Sequence, residues 1–318
     1  MSTQETPAGP APLATVVITT KNRKEELQKA IESALDQTVR AEVLVIDDGS
    51  TDGTAEMVQR RYPVVRLDRV EKSLGLIVQR NRGARLAGSK IIFSIDDDAA
   101  FSTPRVIEQT LADFDHPRVG AVAIPVIDVN KSPEVRQRAP NPVGVFANYT
   151  YVGTAHALRR DLFLKLGGYR EFMFHQGEEG DYVIRMMDAG YIVRAGRADP
   201  IHHFESPRRD TRRMDLYGRR NDVLYAWYNV PMPYLPVHLL ATTLNGVRFG
   251  FGCGRPGRMI RGLAWGYLAI LHELTQRKAV NCNTYRLSRM LKSRGGVRLE
   301  EIEPLLPAAN SENSANEV

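Results

Sequence analysis

The strongest constraint on this chain is an apolar run that ends in three consecutive carboxylates, Ile91-Ile92-Phe93-Ser94-Ile95-Asp96-Asp97-Asp98. Five or six apolar or small residues rich in Ile and Phe read as a strand buried on both faces. Three acids where that strand must surface repel one another unless a cation sits among them. Hard oxygen ligands at a strand end suit Mg²⁺ or Mn²⁺, usually shared with a phosphate. The plainer reading of the same residues is an acidic turn, which Asp favours.

The chain before this run alternates strand and helix. Ala14 to Thr20 is a β-branched strand, followed by Lys21-Asn22-Arg23 and a helix with Leu27, Ala30, Ile31, Ala34 and Leu35 on one face. Val43 to Ile46 is a second buried strand that stops at Asp47-Asp48-Gly49-Ser50-Thr51-Asp52, a turn and helix N-cap in one. A helix over 54–61, a short strand over 64–67 and a helix over 76–87 lead to the triple Asp. This order predicts an open, mostly parallel α/β sheet with right-handed crossovers. Ligands bind such sheets at the carboxyl ends of the strands. Thr20 to Arg23, Asp47-Asp48 and Asp96-Asp97-Asp98 all fall there. The turn after the first strand has no glycine, and no Walker-type loop follows. That argues against a dinucleotide-binding dehydrogenase and leaves phosphates to metal and basic side chains.

Four segments, taken together and in this order, resemble family 2 glycosyltransferases. They are Val16 to Arg23, Val45 to Asp52, Asn81-Arg82-Gly83-Ala84-Arg85-Leu86-Ala87-Gly88, and Ile95 to Asp98. The similarity runs from about residue 13 to 205. It implies the GT-A fold, a nucleotide-diphospho-sugar as sugar donor, Mg²⁺ or Mn²⁺, and inversion at the anomeric carbon. By that resemblance Thr20 and Arg23 border the nucleotide pocket, and Asp48, with Asp47 beside it, accepts from the base or ribose. A carboxylate suits a uracil-type N3–H, which favours UDP or dTDP. Arg82 or Arg85 reaches the diphosphate. Asp96 and Asp98 take the positions of the family's Asp-x-Asp motif, with Asp98 the direct metal ligand and Asp97 facing the sugar or ribose. Ser73-Leu74-Gly75 stands where many members carry Asn before the Gly.

A second acidic cluster, Gly177-Glu178-Glu179-Gly180-Asp181, opens a helix, where the dipole stabilises negative charge. In the family an acidic pair opens such a helix and its second acid is the general base. Glu179 takes that position here, where Asp is commoner, with Glu178 and Asp181 as the alternatives. An acceptor hydroxyl needs such a group, because it is a poor nucleophile until its proton is accepted. Ile201-His202-His203-Phe204 follows a short strand. His203 or His202 is then a third metal ligand or a phosphate contact.

The net charge of +6 is unevenly spread. Residues 1–204 carry 26 Lys/Arg and 27 Asp/Glu, whereas residues 205–300 carry 17 and 6. The basic segment points to an anionic partner. Arg208, Arg209, Arg212, Arg213, Arg219 and Arg220 read either as a solvated surface face or as contacts to a diphosphate, that of the sugar donor or of a lipid-linked acceptor. No recognised motif for nucleic acid accompanies them. Arg255, Arg258 and Arg261 precede the apolar run Leu263 to Leu271, which suits a helix lying on an anionic bilayer, packed on the catalytic domain, or joining a homodimer. No run is a convincing membrane span. Cys253 and Cys282 give no disulfide framework and suit a reducing cytoplasm, including the inner face of the plasma membrane.

The expected organisation is a disordered lead-in over 1–12, a GT-A catalytic domain over 13–205, a basic helical region over 206–300 and a disordered tail over 301–318. The expected activity is an inverting, metal-dependent glycosyltransferase that builds a surface polysaccharide or glycolipid, acting on a saccharide or lipid-linked acceptor. A sugar nucleotidyltransferase fits less well, since it needs a Gly-rich loop after the first strand. A non-catalytic scaffold with the same fold leaves both acidic clusters without a use.

Overall fold

The apolar run is a strand, Ile91–Asp96, buried until its last residue. Its side chains alternate between two cores. Ile91, Phe93 and Ile95 pack with Val16, Ile18, Leu27 and Ile31. Ile92 packs on the other face with Val17, Ile77 and Ala84. Each such side chain stabilises the fold by about 1.5–3 kcal/mol when fully buried, so the two layers hold the strand more firmly than local propensity does. The computed structural model describes residues 11–205, 210–272 and 277–309. Arg208 and Arg209 lie outside them, as does the lead-in over 1–10.

In chain order, Ala14–Thr20 (β1), Lys24–Leu35 (α1), Ala41–Asp47 (β2), Thr54–Arg61 (α2), Arg66–Arg69 (β3), Leu76–Leu86 (α3) and Ile91–Asp96 (β4) alternate strand and helix. Ala99–Phe101 (β5), Val106–Ala112 (α4), Val119–Ala123 (β6), Val126–Asp128 (β7), Phe146–Asn148 (β8), His156–Arg159 (β9), Arg160–Lys165 (α5), Glu178–Asp188 (α6), Ile192–Ala195 (β10) and Ile201–His203 (β11) follow. Thr211–Asn229 (α7), Leu235–Gly252 (α8), Pro256–His272 (α9), Cys282–Arg294 (α10), Val297–Arg298 (β12) and Leu299–Ile302 (α11) complete the chain. The third strand starts two residues later than the sequence suggests, because its pairing with β2 runs from Arg66 to Arg69.

Nine strands form one sheet in the order β12-β8-β10-β6-β9-β4-β1-β2-β3. The part from β4 to β3 is parallel, so the carboxyl ends of β1, β2 and β4 share one edge. Beyond β4 the sheet is mixed: β9 runs antiparallel to both β4 and β6, and β6 is parallel to β10. A small second sheet, β5-β11-β7, stands beside that edge. Gly83 lets α3 approach the sheet, since a Cβ there would lie 2.4 Å from Val17 Cγ1.

The C-terminal helices are fastened to this core. α9 packs on α7 through Leu263 and Ile270 against Val223, Leu224 and Tyr228. α10 and α11 close a separate core, with Leu287, Leu291 and Ile302 against Val119, Met187 and Ile192. β12 adds to the main sheet beside β8. This corrects the expected tail: residues 301–309 are not a disordered extension, because Ile302 and Leu306 are buried in that core. Residues 310–318 lie outside the described part.

Candidate active site

Asp96 is the last residue of β4, and Asp97 and Asp98 form the turn into β5. The small sheet then brings up the histidine. β11 pairs with β5 so that His203 stands opposite Ala99, and with β7 so that it stands opposite Asp128. His203 Nδ1 is 2.6 Å from Asp128 Oδ1, and its Nε2 is 3.4 Å from Asp98 Oδ1. Burial pulls the imidazole down, but its hydrogen bonds to Asp98 and Asp128 outweigh burial and raise it. His202 points to the opposite face, as strand alternation requires, and its ring meets Phe204 edge-on. The sequence left the two histidines open. The register selects His203.

Asp96, Asp98 and His203 present ligand atoms that lie within 4.8 Å of one another. Two carboxylates and an imidazole suit Mg²⁺ or Mn²⁺, and Asp128 on the far ring nitrogen is the outer-shell contact that orients a ligating histidine. The residues present therefore fit a divalent cation. The three neighbouring acids differ in charge state. Burial pushes Asp98 up, but its hydrogen bond with His203 and the charge of Arg23, 2.7 Å away, bring it down to about 2. Asp97 is pushed up to about 7, chiefly by burial, despite Arg23 at 3.0 Å and a 2.8 Å hydrogen bond from Thr20 Oγ1.

The second acidic cluster faces the first. Gly177, in the left-handed region at φ 88°, turns the chain into α6. Glu178 is buried, and the Glu179 side chain is 21% exposed and opens into the cleft. Between the clusters lies Arg80 of α3, with its side chain 5% exposed. It is 2.8 Å from Asp96, 3.0 Å from Glu178 and 3.6 Å from Glu179. Burial alone would lower its pKa, but these three carboxylates outweigh it and raise it. Glu179 is pushed up by burial and then by the charge of Glu178. Gly153 closes against this pair. A Cβ there would lie 2.5 Å from Glu179 Oε1 and 2.9 Å from Arg80 Nη1.

These groups line one cleft of about 1150 Å³, together with Thr20, Arg23, Asp48, Arg213 and Tyr217. Other residues singled out from sequence fall outside it. Asp47 is fully buried and accepts from the Ser50 amide, so it shapes its turn. Arg82 pairs with Asp68, and Arg85 sits 3.8 Å from Glu171. At about 100° per residue, both project away from the helix face that carries Arg80. Asp181 is buried among Arg170, Arg185 and Asn229, which lock it as a structural anion.

Asp48 does line the cleft, but its oxygens accept from Ser73 Oγ, the Leu74 and Gly75 amides, and Gln79 Nε2. Burial pushes its carboxyl up, yet those bonds hold it below the usual range. A carboxylate has about four acceptor sites, so its work in this state is to pin the Ser73–Gly75 loop. Contact with a base would displace one of these partners.

Sequence reasoning missed Arg80. The available signal was helical phase: Ile77, Arg80 and Ala84 share the buried face of α3. A charge on such a face needs paired carboxylates.

The family model described as Glycosyl transferase family 2 matches residues 15–174. The succinoglycan biosynthesis protein ExoU of Rhizobium meliloti (strain 1021) is 34% identical over 97 residues, 29% of this chain and 28% of that one. The aligned stretch spans well under half the length of the curated relatives it matches. Among solved structures, the mannosyltransferase PcManGT from Pyrobaculum calidifontis, in complex with GDP-Man and Mn²⁺, superposes with a TM-score of 0.56. It is 19% identical, and the match covers 90% of this chain and 81% of that one. Staphylococcus aureus TarS residues 1–349, in complex with UDP-GlcNAc, gives a TM-score of 0.56 at 16% identity, covering 71% of this chain and 66% of that one. The architecture is the GT-A fold.

Proposed function

The chain belongs to glycosyl transferase family 2, and from that premise we propose that it moves a sugar from a nucleotide-diphospho-sugar to an acceptor hydroxyl, with inversion, in building a surface polysaccharide or glycolipid. One observation carries the reading: a cation-binding corner, Asp96, Asp98 and His203, faces a carboxylate pair, Glu178 and Glu179, across Arg80 in a single cleft. ExoU, a succinoglycan biosynthesis protein by name, supports the polysaccharide context.

Asp96, Asp98 and His203 would hold Mg²⁺ or Mn²⁺, which supplies positive charge to the leaving diphosphate. The rest is work for the chain's own side chains. Glu179 accepts the acceptor hydroxyl's proton. The oxygen forms its bond to the anomeric carbon as the bond to the diphosphate oxygen breaks, so the centre inverts without a covalent enzyme intermediate. Glu179 must be ionised for this. Arg80 opposes the upward pull that burial and Glu178 exert on it. Thr20 and Arg23 hold Asp97 and Asp98 in place at the donor end, and Arg213 supplies a further cation for phosphate.

Peripheral contact with an anionic bilayer belongs to the same proposal. No helix among the described residues is long and apolar enough to cross a membrane. α8 and α9 nevertheless expose Leu240, Leu244, Leu268 and Leu271, with Arg248 and Arg261 exposed on the same helices. Apolar side chains flanked by arginine suit an anionic lipid surface. Sedimentation with phosphatidylglycerol vesicles tests this. A stable homodimer that stays in the supernatant would assign the face to a second copy.

The transferase reading is tested by thermal shift with UDP-, dTDP- and GDP-sugars in the presence of Mn²⁺. Asp48 would favour UDP or dTDP by accepting from uracil N3–H in place of one of its loop partners. Ligand at 100 times its Kd stabilises by about 2.7 kcal/mol, a readily measured shift that Asp98→Ala should remove. Failure of every nucleotide sugar to stabilise the chain would overturn the proposal.

A further inference from the structure

A second cavity, of about 560 Å³, opens between α6, α7, α8 and α10. It shares Thr150, Gly177 and Gly180 with the catalytic cleft, so the two spaces meet on either side of Glu179 in the chain. Gly180 does not close the junction: a Cβ placed on it meets nothing within 4 Å.

The charges lining this cavity are three cations, Arg219, Arg289 and Lys292, and one carboxylate, Asp222. Arg219 and Asp222 are paired at 2.9 Å. Lys292 also acts on Asp222 through its charge, more weakly than Arg219 does, so one carboxylate answers three cations. Arg289 and Lys292 stand three apart on α10, where like charges repel across one helix face. Tyr225, Tyr285 and His238 line the same cavity, with His238 Nδ1 2.8 Å from Tyr285 Oη. His238 is pulled down to about 4, first by burial and then by the charges of Arg289 and Lys292, so it adds no charge of its own at neutral pH. A pocket with a surplus of two positive charges, beside hydroxyl donors and next to the catalytic base, is matched by a dianion.

We propose that this cavity is a second anion site that takes the phosphate or diphosphate group of the acceptor, with the acceptor's sugar hydroxyl reaching Glu179 through the Thr150–Gly177–Gly180 junction. The proposal rests on the transferase reading above and adds the acceptor's chemical class to it. The same anion is available from a lipid carrier or from a soluble phosphosugar. For a lipid, the outer wall is suited: Val237 and Ala241 of α8 line the cavity, and Leu240 and Leu244 lie exposed on the same helix.

The test is isothermal titration of the full chain with inorganic pyrophosphate in EDTA, where the acidic corner of the cleft repels anions. Arg289→Gln/Lys292→Gln should weaken binding at least tenfold, while Lys292→Arg and Arg105→Gln, the latter exposed beside α4 and lining neither cavity, should stay within about twofold of the parent chain. Both α10 side chains are exposed, and circular dichroism checks that the variants are folded. No binding by the parent chain at millimolar pyrophosphate, equal binding by the double variant, or loss in Arg105→Gln would each overturn the site. A parallel titration with geranyl diphosphate separates the sources: tighter binding than pyrophosphate assigns a lipid-linked acceptor, and equal binding a soluble one. Nucleotide-sugar binding with Mn²⁺, measured on the same preparation, keeps the two proposals apart. If a nucleotide sugar binds and pyrophosphate does not, only this site falls. If pyrophosphate binds and no nucleotide sugar does, the acceptor assignment falls with the transferase reading.

Discussion

Replacing Arg80 with Met tests the centre of the site most directly. The substitution keeps an unbranched side chain out to the ε position and removes the guanidinium with its charge. Arg80 is buried and within 3.6 Å of three carboxylates, Asp96, Glu178 and Glu179. Breaking a buried ion pair by removing one partner costs about 3–5 kcal/mol, because the other charge is left without compensation. That is a large part of the roughly 5–15 kcal/mol that holds a typical domain folded. Without Arg80, the raised pKa values of Glu178 and Glu179 rise further. A carboxyl whose folded pKa lies above its unfolded value of about 4.3 contributes stability that is fully present below the unfolded value and lost as pH climbs through the folded one. The deficit of Arg80→Met should therefore be greatest near pH 8 and shrink towards pH 5.

The assay is urea unfolding followed by far-UV circular dichroism at both pH values, for the parent chain, Arg80→Met and Arg80→Lys. A lysine ammonium restores the charge but not the two-armed geometry, so its deficit should fall between the other two. A deficit for Arg80→Met below about 1 kcal/mol, the range of an exposed ion pair, would show that Arg80 does not neutralise the cluster. So would a deficit that is the same at pH 5 and pH 8.

Three further outcomes follow from the same geometry. Asp128→Ala removes the contact that orients His203 and should weaken Mn²⁺ binding about 10–100-fold, read from free Mn²⁺ by electron paramagnetic resonance; an unchanged affinity would remove His203 from the ligand set. Glu179→Gln should lower transfer by about 10²–10⁴-fold with nucleotide-sugar binding retained. In the parent chain the rate should fall as pH drops through the raised pKa of the Glu178–Glu179 pair, since the base must be ionised, and a flat profile from pH 5 to 8 would count against Glu179. Asp181→Asn leaves Arg170 and Arg185 facing each other without their shared anion. It should cost about 3–5 kcal/mol in urea unfolding, yet leave transfer per folded molecule near that of the parent chain, whereas loss of transfer at full stability would return Asp181 to the list of bases.

What was legible in the sequence follows from where each constraint is set. Buried strands declare themselves by composition, so the positions of Thr20, Asp96 and Asp98 at strand ends could be read locally. The choice of His203 over His202 could not. It depends on the register of β11 against β5 and β7, and the pairing Asp128 is 75 residues away in the chain. Asp47 and Asp48 divide for a similar reason: one ends β2 and caps its own turn, and the other meets a loop 25 residues on. The tail was misjudged because α11 has only four residues and gains its order from the core that Ile302 and Leu306 enter, not from its own pattern. Arg80 is the instructive omission. Its phase with Ile77 and Ala84 was visible, and a buried arginine requires carboxylates, but that both acidic clusters supply them is set by the tertiary fold. One guanidinium carries a single positive charge, however, against the three carboxylates it touches. The site therefore keeps a negative excess that either protonation of the Glu178–Glu179 pair or a divalent cation beside Asp96 must relieve. A proton on Glu178 or a divalent cation beside Asp96 would each leave Glu179 ionised, as the proposed base must be, and either would act through Arg80, which touches both corners.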